Sequence, residues 1–94
     1  MPDTSTVTHD TANHRFEVQT AAGPGELTYH DRGSALEILH TEVPEGAEGQ
    51  GHAAALAVAA LEYARSEGKQ VIPSCAFVAG YIRRHPAYAD LVSR

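Results

Sequence analysis

Apolar and polar residues alternate along the first half of the chain, and the apolar spacing becomes helical in the second. From His14 to Thr20, Phe16 and Val18 are separated by Arg15, Glu17 and Gln19, and that period of two predicts a strand. Ala21-Ala-Gly-Pro-Gly25 is a turn cluster, and Glu26 to His30 alternates again with Leu27 and Tyr29 on one face. The two runs predict a hairpin with a loop longer than two residues. After a second turn at Asp31-Arg-Gly-Ser34, the run from Ala35 to Val43 predicts a third strand. Strict alternation would put Leu36, Ile38 and His40 on one face and Leu39 on the other. Three antiparallel strands in a meander are expected.

Gln50 to about Glu67 reads as a long helix. It is rich in alanine, the best helix former, and two sets, Leu56, Ala60, Tyr63 and Ala54, Val58, Leu61, recur at helical spacing. Gly68 is placed to end it at C′. The small side chains would let the helix lie close to a sheet. Val71-Ile72-Pro73 inside Gln70–Cys75 predicts a fourth strand, and its proline marks a strand end or a sheet edge. Phe77 to Arg84 predicts a second helix, with Phe77, Tyr81 and Ile82 near one stripe, stopped by Pro86. A short helical turn fits Ala87 to Val92. The expected order is β-β-β-α-β-α, with no internal repeat. Residues 1–12 are polar and threonine-rich, which predicts a flexible N-terminus and leaves residues 13–94 as one domain.

Composition narrows the function classes. At 94 residues the chain is one small domain that buries only about 60–70% of its unfolded surface. A monomer or weak dimer is expected. A formal net charge of −5 argues against nucleic acid, whose phosphates need clustered Lys and Arg. No apolar stretch is long enough to span a bilayer, and Met1 to Asp10 lacks the pattern of a signal peptide. The single cysteine, Cys75, forms no internal disulfide, so a reducing cytoplasm is the expected location. The histidines stand at 9, 14, 30, 40, 52 and 85, without the spacing of a zinc motif, and no metal is expected.

The stretch from His40 to Ala60 carries the most specific local signal. A strand ends at Pro44, glycines follow at 46, 49 and 51, and then the long helix begins. Glycines let backbone approach a ligand closely. The first turn of a helix offers unpaired N–H groups and the positive end of the dipole, a natural place for phosphate or pyrophosphate. Glycine-rich turns before helices also occur as turns alone, and both readings stand at this point. The lack of a Lys-Ser/Thr after the glycines argues against a kinase-type phosphate loop.

Three segments together carry a resemblance. They are His40-Thr-Glu-Val-Pro44, Gly49-Gln-Gly51, and Pro73-Ser-Cys-Ala-Phe-Val-Ala-Gly-Tyr-Ile-Arg-Arg-His-Pro-Ala-Tyr88. The chain resembles the short single-domain GNAT-like N-acetyltransferases from about Arg15 to Val92. The resemblance implies a minimal GNAT fold, α+β and three-layer-like. It also implies acetyl-CoA as cosubstrate and acetyl transfer to an unidentified amine, either a small molecule or a protein amine. Gly49, Gln50, Gly51, His52 and Ala53 would hold the pyrophosphate through backbone N–H groups, with Val43 and Ala54 beside them. A non-catalytic CoA-binding sensor or interaction module is the alternative. Two positions depart from the family: Glu48 stands where GNAT loops carry Arg or Gln, and Ala76 where the family often has Pro.

The same resemblance points to chemistry at three side chains. Cys75, at the predicted end of the fourth strand, would take the acetyl group before passing it on, as a thiolate; its other reading is a small buried hydrophobe. His40 would be a general base acting on the amine or on Cys75, since an imidazole exchanges protons near neutrality; otherwise it is a strand-end histidine. Tyr81 matches a tyrosine that protonates the leaving CoA thiolate in larger GNAT enzymes, and on spacing alone it is a core aromatic. His85 and Tyr88 would line an acceptor pocket or end the helix. Arg83 and Arg84 would meet a CoA phosphate or simply be solvated.

Overall fold

A computed structural model describes residues 2–92 of the chain. Its elements are β1 (Val7–Asp10), β2 (Arg15–Thr20), β3 (Gly23–Asp31), β4 (Ala35–Glu42), α1 (His52–Ser66), β5 (Gln70–Pro73), α2 (Ala76–Arg84) and a 3-10 helix (Pro86–Leu91). The strands form one sheet in the order β1-β2-β3-β4-β5. The first four make an antiparallel meander, and β5 pairs parallel to β4. A parallel pair needs a crossover, and α1 supplies it. No helix among the described residues is long and apolar enough to cross a membrane. The expected domain end at Arg94 lies outside the described residues.

The expected flexible N-terminus is corrected at Val7–Asp10, which form an additional edge strand, so the expected fourth strand is the fifth. Val7 pairs with Val18 and His9 with Phe16, and the His9 ring stacks on Phe16 with centroids 4.0 Å apart. Val7 is the single apolar residue of this strand, so alternation could not reveal it; a histidine supplies the second inward position. The β2–β3 hairpin is also tighter than expected. Thr20 pairs with Gly23, which leaves Ala21 and Ala22 as a two-residue turn. The Ala22 N–H donates to Thr20 Oγ1 at 3.1 Å.

A bulge in β4 changes which side chains face the core. Tyr29 pairs with Ile38, but Thr28 pairs with His40, so Leu39 is an extra residue. One extra residue reverses the alternation beyond it. Thr41, opposite the buried Leu27, therefore joins the core face, and His40, opposite Thr28, turns to the other side. The expectation that His40 shares a face with Leu36 and Ile38 is corrected for this reason.

Helix α1 crosses the apolar face and touches all five strands. Leu56, Ala57, Val58, Ala60, Leu61 and Ala64 are buried there against Phe16, Leu27, Leu36, Ile38 and Val71. Alanine on three of those helix positions permits close approach to the sheet. Helix α2 packs beside α1 against β4 and β5. The opposite sheet face carries Arg15, Glu17, Glu26, Thr28 and Glu37, none of them buried. The α+β class therefore stands with two layers rather than three, because that polar face cannot cover a further helix layer.

Candidate active site

The loop from β4 to α1 is shaped by local bonds. Ala47 is 3% exposed, and its N–H donates to Pro44 O at 3.0 Å. Gly49 and Gly51 have φ of +78° and +83°, and a Cβ added at either would meet nothing within 4 Å. These glycines are required by backbone conformation, since other residues rarely adopt it, and they leave open space above the loop. Gly51 caps α1 in this left-handed conformation, so the helix cannot begin at Gln50 as expected. No side chain caps it, and no acidic residue stands in the first turn. The first helical bond runs from Ala55 N–H to Gly51 O at 2.9 Å. The N–H groups of His52, Ala53 and Ala54 are then the orphan donors of the helix start.

A cavity of about 350 Å³ opens at that point. Val43, Gly49, Gly51, His52, Ala53 and Ala54, all expected cofactor contacts, line it. Glu48, Ala47 and Phe77 complete the wall. Gln50, also expected there, lines a neighbouring pocket of about 330 Å³ with Pro2, Asp3 and Thr6, and the two pockets share Gly51 and His52. Glycines in open space and unpaired N–H groups around one cavity fit a phosphate-bearing ligand. Glu48 is the charged side chain that does not fit. Its carboxylate accepts from the Gly46 N–H at 3.1 Å, which ties it to the loop.

Strands β4 and β5 part beside this cavity. Their pairing ends at Ile38 with Pro73, and the Cys75 N–H donates to Ile38 O at 3.0 Å. Beyond it, the segment after β5 turns into α2 while β4 runs on to Glu42 with no strand on that edge among the described residues. Thr41 Oγ1 and Cys75 Sγ stand 3.4 Å apart across the opening. Cys75 is the N-cap of α2 without a side-chain cap bond and is 8% exposed. Two residues further along each chain, Val43 and Phe77 reach the cavity wall.

The structure does not bring His40 to Cys75. The His40 side chain is 60% exposed on the polar face, with Nε2 3.4 Å from Glu42 Oε1. Tyr81 is 4% exposed and lies in an aromatic column. Its ring stacks on His85 at 3.9 Å, with Phe77 at 6.5 Å and Tyr88 at 6.4 Å. His85 Nδ1–H donates to Tyr81 O at 2.9 Å, which closes the last turn of α2. The Tyr88 hydroxyl donates to Glu62 Oε2 at 2.8 Å; burial, then Glu62, pushes its pKa up to about 12. His85 and Tyr88 therefore fasten the C-terminal segment rather than line the cavity. The Arg83 and Arg84 guanidinium groups lie along Gly80, and neither lines either of these two pockets. Sequence reasoning missed Thr41 and Phe77 as site residues. Phe77 was read only as part of the apolar stripe of α2 with Tyr81 and Ile82, and its exposure comes from the structure, whereas Thr41 depends on a bulge that leaves no signature in the pattern.

The sequence pattern of the GCN5-related N-acetyl-transferases matches residues 15–91. The chain belongs to that family. Its fold is also similar to the NMR solution structure of a GCN5-like candidate N-acetyltransferase from Staphylococcus aureus, with a TM-score of 0.72 and 26% identity. The likeness covers 95% of this chain and 90% of the other. For this GCN5-related chain the family implies acetyl-CoA as cosubstrate and an amine as acceptor.

Proposed function

We propose that this protein transfers acetyl from acetyl-CoA to an amine. The observation that carries the reading is the cavity walled by Gly49, Gly51 and the first turn of α1. The N–H groups of His52, Ala53 and Ala54 would bind the pyrophosphate, with the helix dipole adding to their effect. The unpaired edge of β4 from Leu39 to Glu42 offers main-chain donors and acceptors to an extended ligand arm, as a strand edge does for a peptide. An arm on that edge ends beside Thr41 and Cys75. Cys75 takes the acetyl group there, or the amine attacks the thioester directly. Tyr81, one helical turn beyond Phe77, would act only from within the aromatic column.

A catalytically silent CoA-binding module is the second reading, and Glu48 on the cavity wall is the observation that favours it. A like charge beside a pyrophosphate weakens binding without abolishing it when both are exposed to solvent.

The test is a thermal midpoint with and without acetyl-CoA, followed by thiol release with a panel of amines. Ligand at about 100 times its dissociation constant adds roughly 2.7 kcal/mol, which raises the midpoint of a domain this size by about 10 °C or more. A rise with free thiol supports transfer. A rise with acetyl-CoA and CoA alike, and no thiol from any amine, supports the silent module. No response to either ligand would end both readings.

A further inference from the structure

We propose that Thr41 is the positioning residue for the Cys75 sulfur, an inference that rests on the acetyl-transfer reading above. The β4 bulge at Leu39 places Thr41 on the core face, opposite Leu27. Its hydroxyl lies 3.4 Å from Cys75 Sγ. That is the side-chain hydrogen bond of Cys75 among the described residues, since the Cys75 N–H is bound to Ile38 O and the side chain caps nothing. Without the bulge, residue 41 would face the polar side and His40 the core side. A bulge beside an active site commonly re-aims one side chain. Threonine suits the position because its branched Cβ restricts χ1 and holds the hydroxyl in place.

A hydroxyl can both accept and donate a hydrogen bond, so Thr41 matches both states of the sulfur. It accepts from the Cys75 S–H before transfer and donates to the sulfur once the proton has gone. In the first step the Cys75 Sγ–carbonyl carbon bond forms and the carbon–sulfur bond to CoA breaks. The thiol proton ends on the CoA sulfur. In the second step the amine nitrogen bonds to the carbonyl carbon, the bond to Sγ breaks, and one amine proton returns to Sγ. Thr41 keeps its own proton throughout and no redox partner is needed. Its part is to fix the direction of the sulfur lone pair toward the edge of β4, where the thioester would lie.

The test compares Thr41→Val, which keeps shape and loses the hydroxyl, with Thr41→Ser, which keeps the hydroxyl. Three quantities are read for each: the rate of Cys75 acetylation from acetyl-CoA without acceptor, by intact mass; acetyl-CoA affinity, by calorimetry; and the rate of Cys75 alkylation by iodoacetamide without CoA. Thr41→Val is expected to slow acetylation about tenfold, the rate equivalent of one hydrogen bond, with affinity unchanged. Thr41→Ser is expected to restore most of the rate. Equal acetylation rates for wild type and Thr41→Val would overturn the proposal, and so would a loss that Thr41→Ser does not rescue. If the wild type forms no adduct although acetyl-CoA binds, the acyl-carrier route fails and the alkylation rates decide the role of Thr41. A rate changed by Thr41→Val and restored by Thr41→Ser upholds it, and unchanged rates reject it.

Discussion

The Glu48 carboxylate accepts a hydrogen bond from the Gly46 N–H at 3.1 Å while its side chain lines the cavity at the start of α1. Structure and ligand make opposite demands on this residue. The loop gains an acceptor for an exposed N–H, and an anionic ligand meets a negative wall. Glu48→Gln keeps an oxygen acceptor and removes the charge. Acetyl-CoA affinity is expected to rise about two- to fivefold, the range of an exposed charge interaction, with little change in the thermal midpoint. Calorimetric titration of both proteins measures it. An unchanged or lower affinity would show that the carboxylate does not oppose the phosphates.

Gly51 tests whether the cradle depends on backbone conformation. Its φ of +83° with open space at the Cβ position means that a side chain there would be strained but not crowded. Gly51→Ala is expected to cost about 1–2 kcal/mol, lowering the midpoint by about 5–15 °C and weakening acetyl-CoA binding. Gly51→Asn should lose less, because asparagine tolerates the left-handed region better. Equal losses for the two variants would contradict the conformational explanation.

Stability should depend on pH through His9. Its ring is stacked on Phe16, set edge-on to Tyr63 at 4.4 Å, and hydrogen-bonded at 2.6 Å to the Tyr29 hydroxyl. Burial holds the His9 pKa below the usual imidazole value, against a raising effect of Asp10 and with a smaller lowering effect of His14. Burial likewise pushes the Tyr29 pKa up to about 12, so that hydroxyl stays protonated. The unfolded chain therefore binds more protons at position 9 once pH falls below the ordinary imidazole pKa of about 6.5. Stability from this group is full above that value. It is lost as pH drops toward the depressed folded value, below which the loss is constant. Urea midpoints from about pH 8 to about pH 5 should fall for the wild type and fall less for His9→Phe. Parallel curves would remove His9 as the cause.

The C-terminal segment is held by named contacts on α1. Arg65 donates to both oxygens of Asp90 and to Ala87 O, and Tyr88 donates to Glu62. Tyr88→Phe keeps the buried ring and removes one hydrogen bond. The expected cost is about 1 kcal/mol, or a midpoint lower by about 4–8 °C, with acetyl-CoA affinity unchanged. A fall in affinity instead would bring Tyr88 back to the ligand site.

Local pattern was enough for much of the fold. Strands β2 to β5 and both helices follow from alternation, alanine content and glycine or proline stops, because each is set by interactions within a few residues. Gly68, with φ of +68°, ends α1 as its type and place imply. The cavity at the start of α1 was legible for the same reason: the glycine loop and the helix start that line it are contiguous in sequence. Strand β1 was not legible, since Val7 is its single apolar residue and His9 packs on Phe16, Tyr29 and Tyr63 of other elements.

The sequence by itself determined the family, the helix that crosses the sheet and the residues around its first turn. Tertiary structure alone decided which side chains meet at the parting of β4 and β5. The pairing of Tyr29 with Ile38 and of Thr28 with His40 inserts Leu39, and that one residue exchanges the faces of His40 and Thr41. Register is a property of two strands held together. No count along one of them can place Thr41, rather than His40, against Cys75.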